Sequence, residues 1–232
     1  MKKYELTAES IVKYGRTLYR IKALKAFGDV RKGELGGFVE KEENLDQEGS
    51  AWVSGNAAVC ENAWVSGNAW VRGNAVVCGY ATVWGNAVVR GNAVVYGYAT
   101  VSGNAWVRGN AVVRENAVVC GYATVWGNAV VRGSAVIGGN ATVGGSAVVF
   151  KTSHYLAVGP IGSRDGFTTF FRTKHLTIGV KCGCFTGDMD KFLAAVDRTH
   201  GNNKHAQAYR AAAHLAELQI DLSKEDDDEE EE

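Results

Sequence analysis

A six-residue period runs without a slip from residue 49 to residue 150, and it constrains this chain more than any other feature. Alanine stands at position 51 and at every sixth position through 147. A valine follows two residues after each alanine, replaced once by Ile137. Gly-Asn or a close variant joins the units, so the repeat reads Ala-x-Val-x-Gly-Asn. A period this regular predicts a solenoid of stacked coils.

Strand alternation assigns a direction to each position of the repeat. Alanine and valine, two residues apart, point to the same side of a strand and form the buried pair, while the residues beside valine point outward. Gly-Asn provides a corner, because both residues tolerate a positive φ. Six residues a side and three sides a turn give an 18-residue triangular coil. The segment then holds nearly six coils and is roughly 27 Å long at about 4.8 Å a coil.

This motif resembles that of the hexapeptide-repeat proteins, and the resemblance implies their fold, a left-handed parallel β-helix. The N-terminal segment carries Tyr-Glu-Leu-Thr from Tyr4 and Leu-Tyr-Arg-Ile from Leu18. These two blocks resemble the opening of a phage- and prophage-encoded group of hexapeptide-repeat proteins. The resemblance covers residues 1 to about 150, and it implies a phage or bacterial origin more firmly than any activity.

The rest of the chain divides around the repeat. We predict a mostly β protein with an N-terminal cap over residues 1–48, the β-helix over 49–150, a small α+β module over 151–222 and an acidic tail over 223–232. In the module, short strands are predicted over 154–159, 167–172 and 176–181. Asp188 is suited to cap a helix that runs to about Thr199, and a second helix is expected from about His205 to Leu218.

Charge is balanced overall but unevenly distributed. The chain has 25 basic and 25 acidic residues, and its last eight residues are all acidic, which leaves 25 against 17 elsewhere. Such a block is typical of a solvated tail that aids solubility. An acidic arm that covers a basic site or mimics nucleic acid is the alternative.

The chain shows neither a signal peptide nor an 18-residue apolar run, and its five cysteines fit no disulfide scaffold. We therefore expect a protein of the bacterial host cytoplasm with no membrane contact.

All the tryptophans of the chain fall at outward positions of the repeat. Trp52, Trp70, Trp106 and Trp126 share one face with an arginine ladder at 18-residue spacing, formed by Arg72, Arg90 and Arg108. Arg114 and Arg132 lie on a second face, and Trp64 and Trp84 on the third. Two corners carry further ladders, one of asparagines from Asn56 to Asn128 and one of Tyr80 and Tyr98.

Exposed indoles usually mark an interface. They are expected either to bury against sister subunits or the terminal segments, or to bind a ligand; a protein partner is the third possibility. Hexapeptide-repeat proteins commonly assemble as trimers, so the resemblance favours a trimer. Indole for stacking and guanidinium for anions suit a nucleotide. The candidate ligand-binding residues are Arg72, Arg90, Arg108, Trp70, Trp106, Trp126, Arg114, Arg132, Tyr80, Tyr98 and Arg164.

Catalysis by the repeat is disfavoured. Resemblance to acyl-CoA-dependent hexapeptide acyltransferases implies a catalytic histidine on the solenoid, but residues 49–150 contain none. The histidines lie at 154, 175, 200, 205 and 214, so an active site would belong to the module. There Cys182 to Gly187 is expected to lead into a helix N-terminus, which would form an anion site and lower a thiol pKa. A cysteine nucleophile with a histidine base is also possible in the module.

Zinc binding by Cys182, Cys184, His200 and His205 is a further possibility. However, Cys-x-Cys is tighter than the usual structural zinc spacing. We assign no catalytic residue, metal or cofactor from the sequence. The leading hypothesis is a non-catalytic binding protein that sequesters a host molecule, such as an anionic nucleotide immune signal, or a host protein, as in phage counter-defence. An acyltransferase and a structural assembly protein are the alternatives.

Overall fold

The computed structural model describes residues 2–224 and confirms the predicted mostly β architecture, with a parallel β-helix at its centre. The predicted acidic tail from Glu225 onward lies outside the described residues. The strands of the β-helix, called the rod below, are β4 (Trp52–Val53), β5 (Ala58–Val59), β6 (Trp64–Val65), β7 (Trp70–Gly73), β8 (Val76–Val77), β9 (Thr82–Val83), β10 (Val88–Gly91), β11 (Val94–Val95), β12 (Thr100–Val101), β13 (Trp106–Val107), β14 (Val112–Val113), β15 (Val118–Val119), β16 (Thr124–Val125), β17 (Val130–Val131), β18 (Val136–Ile137), β19 (Thr142–Val143) and β20 (Val148–Val149).

These strands stack into three parallel sheets, one for each side of the coil. Sheet 1 contains β4, β7, β10, β13, β16 and β19; sheet 2 contains β5, β8, β11, β14, β17 and β20; sheet 3 contains β6, β9, β12, β15 and β18. The register advances by 18 residues a coil, so Val89 pairs with Val71 on one side and Val107 on the other. Every repeat alanine, valine and Ile137 is at most 1% exposed. The predicted inward pair is therefore the core of the rod.

The corners follow the predicted backbone chemistry. Gly85 has a φ of 75°, and a Cβ there would lie 3.0 Å from the backbone nitrogen and oxygen of Gly103 in the next coil. Glu115 occupies an equivalent corner at a φ of 61°, and its carboxylate accepts a hydrogen bond from the Gly133 N–H at 2.7 Å. Asparagine side chains bond to one another along the stack, as between Asn92 and Asn110 at 3.0 Å. These ladders fit the left-handed class of β-helix.

An N-terminal cap closes one end of the rod. It consists of β1 (Tyr4–Lys13), β2 (Arg16–Ala23), β3 (Leu35–Val39) and a 3-10 turn (Glu42–Asn44). The strand β3 pairs in parallel with β5, so the ladder of sheet 2 continues into the cap, and β2 and β1 add antiparallel strands beyond it.

A buried lysine ties the cap to the first coil. The Lys3 ammonium donates hydrogen bonds to the carbonyls of Glu48 and Ala51, each at 3.0 Å. Burial lowers the pKa of Lys3 to about 8, because a low-dielectric environment disfavours the charged form. The ring of Phe27 lies 5.1 Å from the same nitrogen. A buried cation held in this way orients the cap on the rod.

The C-terminal module covers the other end. Its elements are a 3-10 turn (Thr152–His154), β21 (Tyr155–Ile161), β22 (Gly166–Arg172), β23 (Ile178–Cys182), β24 (Phe185–Asp188), α1 (Met189–His200) and α2 (Lys204–Gln219). The four strands form one antiparallel sheet, and Phe171 from it joins the hydrophobic core of the rod. The Thr142 N–H donates to the Thr169 hydroxyl at 2.9 Å. Within residues 2–224, no helix is both long and apolar enough to cross a membrane.

Three of the module's strands and both of its helices were predicted within a few residues. Asp188 is the N-cap of α1, as predicted, and its carboxylate accepts from the Lys191 N–H. The strand β24 was not predicted. The segment from Cys182 to Gly187 leads into the N-terminus of α1 as predicted, but the Asp188 carboxylate already caps the first turn and β24 separates α1 from the two thiols. Both thiols instead stand at a tight hairpin turn.

Candidate ligand-binding surfaces

The outer side of sheet 1 carries a ladder of arginines, which we call the arginine face. It comprises Arg72, Arg90 and Arg108 with Trp70 and Trp106. Each arginine directly follows an inward valine, so strand alternation turns it outward. Arg90 pairs in register with Arg72, which sets their backbones about 4.8 Å apart. The repeat itself thus fixes the spacing of the guanidinium groups.

The arginine face is electrostatically unbalanced. Among the described residues, no carboxylate forms an ion pair with Arg72, Arg90 or Arg108. The Arg90 guanidinium lies over the Trp106 ring, 4.9 Å from its centroid. This cation–π contact orients one arginine without neutralising it. Stacked like charges repel one another, so an anion placed between them gains Coulomb energy from more than one.

The two ends of this face are closed by the caps. Trp52 is fully buried, with the edges of its ring against Tyr4 at 6.4 Å and Phe27 at 5.4 Å. Trp126 packs on Gly144, where any side chain would collide with the indole, and the Lys181 ammonium lies 6.0 Å from its ring. Trp52 therefore buries against a terminal segment, one of the alternatives that the sequence left open, whereas Trp126 is half-buried against the last coils of the rod, beside the module. The accessible part of the face runs from Trp70 to Arg108.

The second face does not form an open ladder. Arg114 pairs with the Glu115 carboxylate at 3.6 Å. Arg132 is only 6% exposed, and its guanidinium stacks over Phe150 at 4.8 Å. Arg164 lies in the C-terminal module, and Tyr80 and Tyr98 lie at a corner of the rod. The sequence grouped Arg114 and Arg132 with the ligand-binding residues, but the structure does not bring them together with Arg72, Arg90 and Arg108.

The third face combines exposed aromatic rings with outward strand positions that carry no charge, although Glu61 and Glu115 lie on the adjoining corner. Trp64 is 45% exposed and Trp84 is 48% exposed. On the adjoining corner Tyr80 and Tyr98 stack face to face, with ring centroids 5.0 Å apart. The remaining outward residues of sheet 3 are all uncharged: Ser66, Thr82, Thr100, Ser102, Val118, Cys120, Val136 and Gly138. We call this the neutral face. The sequence separates this face from the two that carry arginines, and its neutral outward positions can be identified from the 18-residue coil.

The module contributes a separate cleft of about 310 Å³. Arg164, Cys182, Cys184, His200 and Tyr209 are among its lining residues. The imidazoles of His200 and His205, predicted as possible zinc ligands, have centroids 5.9 Å apart. Within residues 2–224, no group of three or more histidine, cysteine or acidic side chains is arranged to hold a metal ion.

Comparison of the chain with models of known protein families and with curated proteins finds no match.

Proposed function

We propose that this protein is a non-catalytic binding protein whose arginine face holds an anionic ligand with a stacking ring, such as a nucleotide. Arg72, Arg90 and Arg108 stand in register, one coil apart, on a rigid sheet and without a carboxylate partner among the described residues.

The chemistry of the side chains defines the ligand class. Guanidinium groups match the geometry of phosphate oxygens and bind them through paired N–H donors. A ligand with two or more phosphates could contact successive arginines, because they repeat about every 4.8 Å. Trp106 is 37% exposed beside Arg90, so it retains ring surface on which a base could stack. A nucleotide meets both requirements.

The outward chemistry of the rod favours binding over turnover. The rod has no histidine and no loop interrupting its repeats, and acyl transfer by hexapeptide-repeat enzymes would need such a base. Together with the phage-like N-terminal blocks, this supports sequestration of a host nucleotide signal in the bacterial cytoplasm, as in counter-defence. A host protein bound by the same face is the second candidate.

The neutral face supports self-association, with a trimer favoured. Two copies of this chain can bury Trp64 and Trp84 without desolvating a charged side chain of sheet 3, whereas either of the other sheets would bury arginines. We expect Trp84→Glu to lower the assembly mass in native mass spectrometry, because a carboxylate would then be buried in the interface. Arg108→Glu, also on the rod, should leave the mass unchanged. A wild-type monomer at micromolar concentration would contradict this assignment.

Isothermal titration against cyclic nucleotides and ADP-ribose-type nucleotides tests the binding proposal. We expect at least one of them to bind, and Arg90→Ala to weaken its affinity by about 10- to 100-fold, since a hydrogen bond to a charged group contributes roughly 1.5–3 kcal/mol. Arg31→Ala removes an equal charge from the cap and should bind as the wild type does. No binding across the panel, or equal affinities for Arg90→Ala and wild type, would sink the nucleotide proposal. Turnover of acetyl-CoA with amine acceptors would instead favour the acyltransferase.

A further inference from the structure

The cleft of the C-terminal module is built independently of the rod. Its walls come from the turn between β21 and β22, the hairpin turn between β23 and β24, and the facing sides of α1 and α2. Cys182 pairs with Phe185 across the hairpin, and Gly183 between them has a φ of 52°. This glycine allows a two-residue turn, which places the thiols of Cys182 and Cys184 at the cleft.

Tyr209 forms the floor of the cleft. Its ring packs edge-on against Phe192 at 5.7 Å and lies 5.7 Å from the His200 ring. The hydroxyl sits against the backbone of Gly162, where any side chain would collide with it. Burial, followed by the neighbouring Cys182 thiol, raises the pKa of Tyr209 to about 12, so its phenol stays protonated and able to donate at neutral pH. The floor is thus fixed in place and ends in a hydrogen-bonding group.

The charge at the cleft has one sign. Among the described residues that line the cleft, Arg164 is the one with a permanent charge. No described carboxylate lines the cleft or pairs with the Arg164 guanidinium. Phe167, 38% exposed, presents a ring at the same opening. A cleft of about 310 Å³ lies at the small end of ligand pockets, which are mostly apolar with a few oriented polar groups. It has room for an aromatic ring system and one acidic group.

We propose that this cleft is a second binding site, which takes a small aromatic acid of the aryl phosphate class. The guanidinium of Arg164 holds the anionic group, while the rings of Phe167 and His200 flank the aromatic part. The Tyr209 hydroxyl donates a hydrogen bond to the bound molecule. The site does not depend on the arginine face, from which it differs in elements and in ligand size.

The two thiols provide a local reporter for this site. We would measure alkylation of Cys182 and Cys184 by iodoacetamide with peptide mass spectrometry, using 1-naphthyl phosphate as the probe. Cys78, half-buried on sheet 2 of the rod and outside the neutral face, serves as an internal reference. Saturating probe should slow alkylation of Cys182 and Cys184 several-fold and leave Cys78 unchanged. Arg164→Ala should raise the protecting concentration at least about tenfold, because a charge-assisted contact is lost.

Matched variants separate this site from the rest of the protein. Arg198→Ala removes an equal charge from α1 outside the cleft and should leave protection unchanged. Arg90→Ala should also keep full protection, so failure here and failure of the arginine face are distinguishable. Three results would overturn the proposal: no protection at millimolar probe, equal protection in Arg164→Ala and wild type, or equal protection by uncharged 1-naphthol.

Discussion

Replacing Val95 by aspartate unfolds the middle of the rod, whereas the same substitution at its neighbour Val94 leaves the fold intact. Val95 is fully buried and stacks between Val77 and Val113, so a carboxylate there has neither water nor a partner. An unpaired buried charge is destabilising by several kcal/mol, which is comparable to the whole stability of a domain. Val94 points outward and is half-buried, so we expect a change within about 1 kcal/mol there.

Circular dichroism during thermal unfolding measures both variants. The Val95→Asp protein should lose the strand signal at the growth temperature, because each coil is stabilised by its neighbours and a failed central coil separates the two halves. Equal melting temperatures for the two variants would contradict the assigned alternation of inward and outward residues.

The second large effect is expected at the junction of cap and rod. Trp52→Ala should reduce the free energy of unfolding by about 3–5 kcal/mol, the range for truncating a large buried aromatic residue. Trp52 is fully buried between Tyr4 and Phe27, so its removal leaves a cavity under the cap. Trp64 occupies the same place in the repeat but is half-exposed in the single chain, so Trp64→Ala should change the stability of the dissociated chain by less than about 1 kcal/mol.

Guanidinium denaturation gives these free energies, and limited proteolysis shows where the structure loosens. We expect Trp52→Ala to be cleaved first within residues 2–50, while the rod stays protected. If Trp64→Ala destabilised the isolated chain as much as Trp52→Ala, the burial of Trp52 by the cap would be contradicted.

The rod could be predicted from sequence almost completely, because its contacts are set by a local rule. Side-chain alternation and a fixed period determine which residues face inward, and the 18-residue coil determines which ones stack. The stacks of Tyr80 on Tyr98 and of Asn92 on Asn110 follow from that coil alone. The left-handed sense of the coil does not follow from the residue spacing; the resemblance to hexapeptide-repeat proteins implies it.

Burial by the caps could not be predicted in this way. Trp52 and Trp106 occupy the same outward position of the repeat, but only Trp52 meets the cap, through residues more than twenty positions away in the chain. The sequence pattern does not predict β24, because a four-residue segment with a glycine shows little alternation and ends at Asp188, the N-cap of α1. Pairing with β23, a tertiary contact, makes it a strand.

The salt dependence of ligand affinity tests directly whether the arginine face binds an anion. For a nucleotide that binds the wild-type protein, the dissociation constant would be measured by titration over a range of salt concentrations, with Arg90→Ala and Arg164→Ala alongside. Salt screens the attraction between an arginine and a phosphate, so each such contact steepens the fall of log affinity with log salt concentration. We expect Arg90→Ala to make this slope shallower and Arg164→Ala to leave it unchanged. A slope that is the same in all three proteins would contradict this expectation.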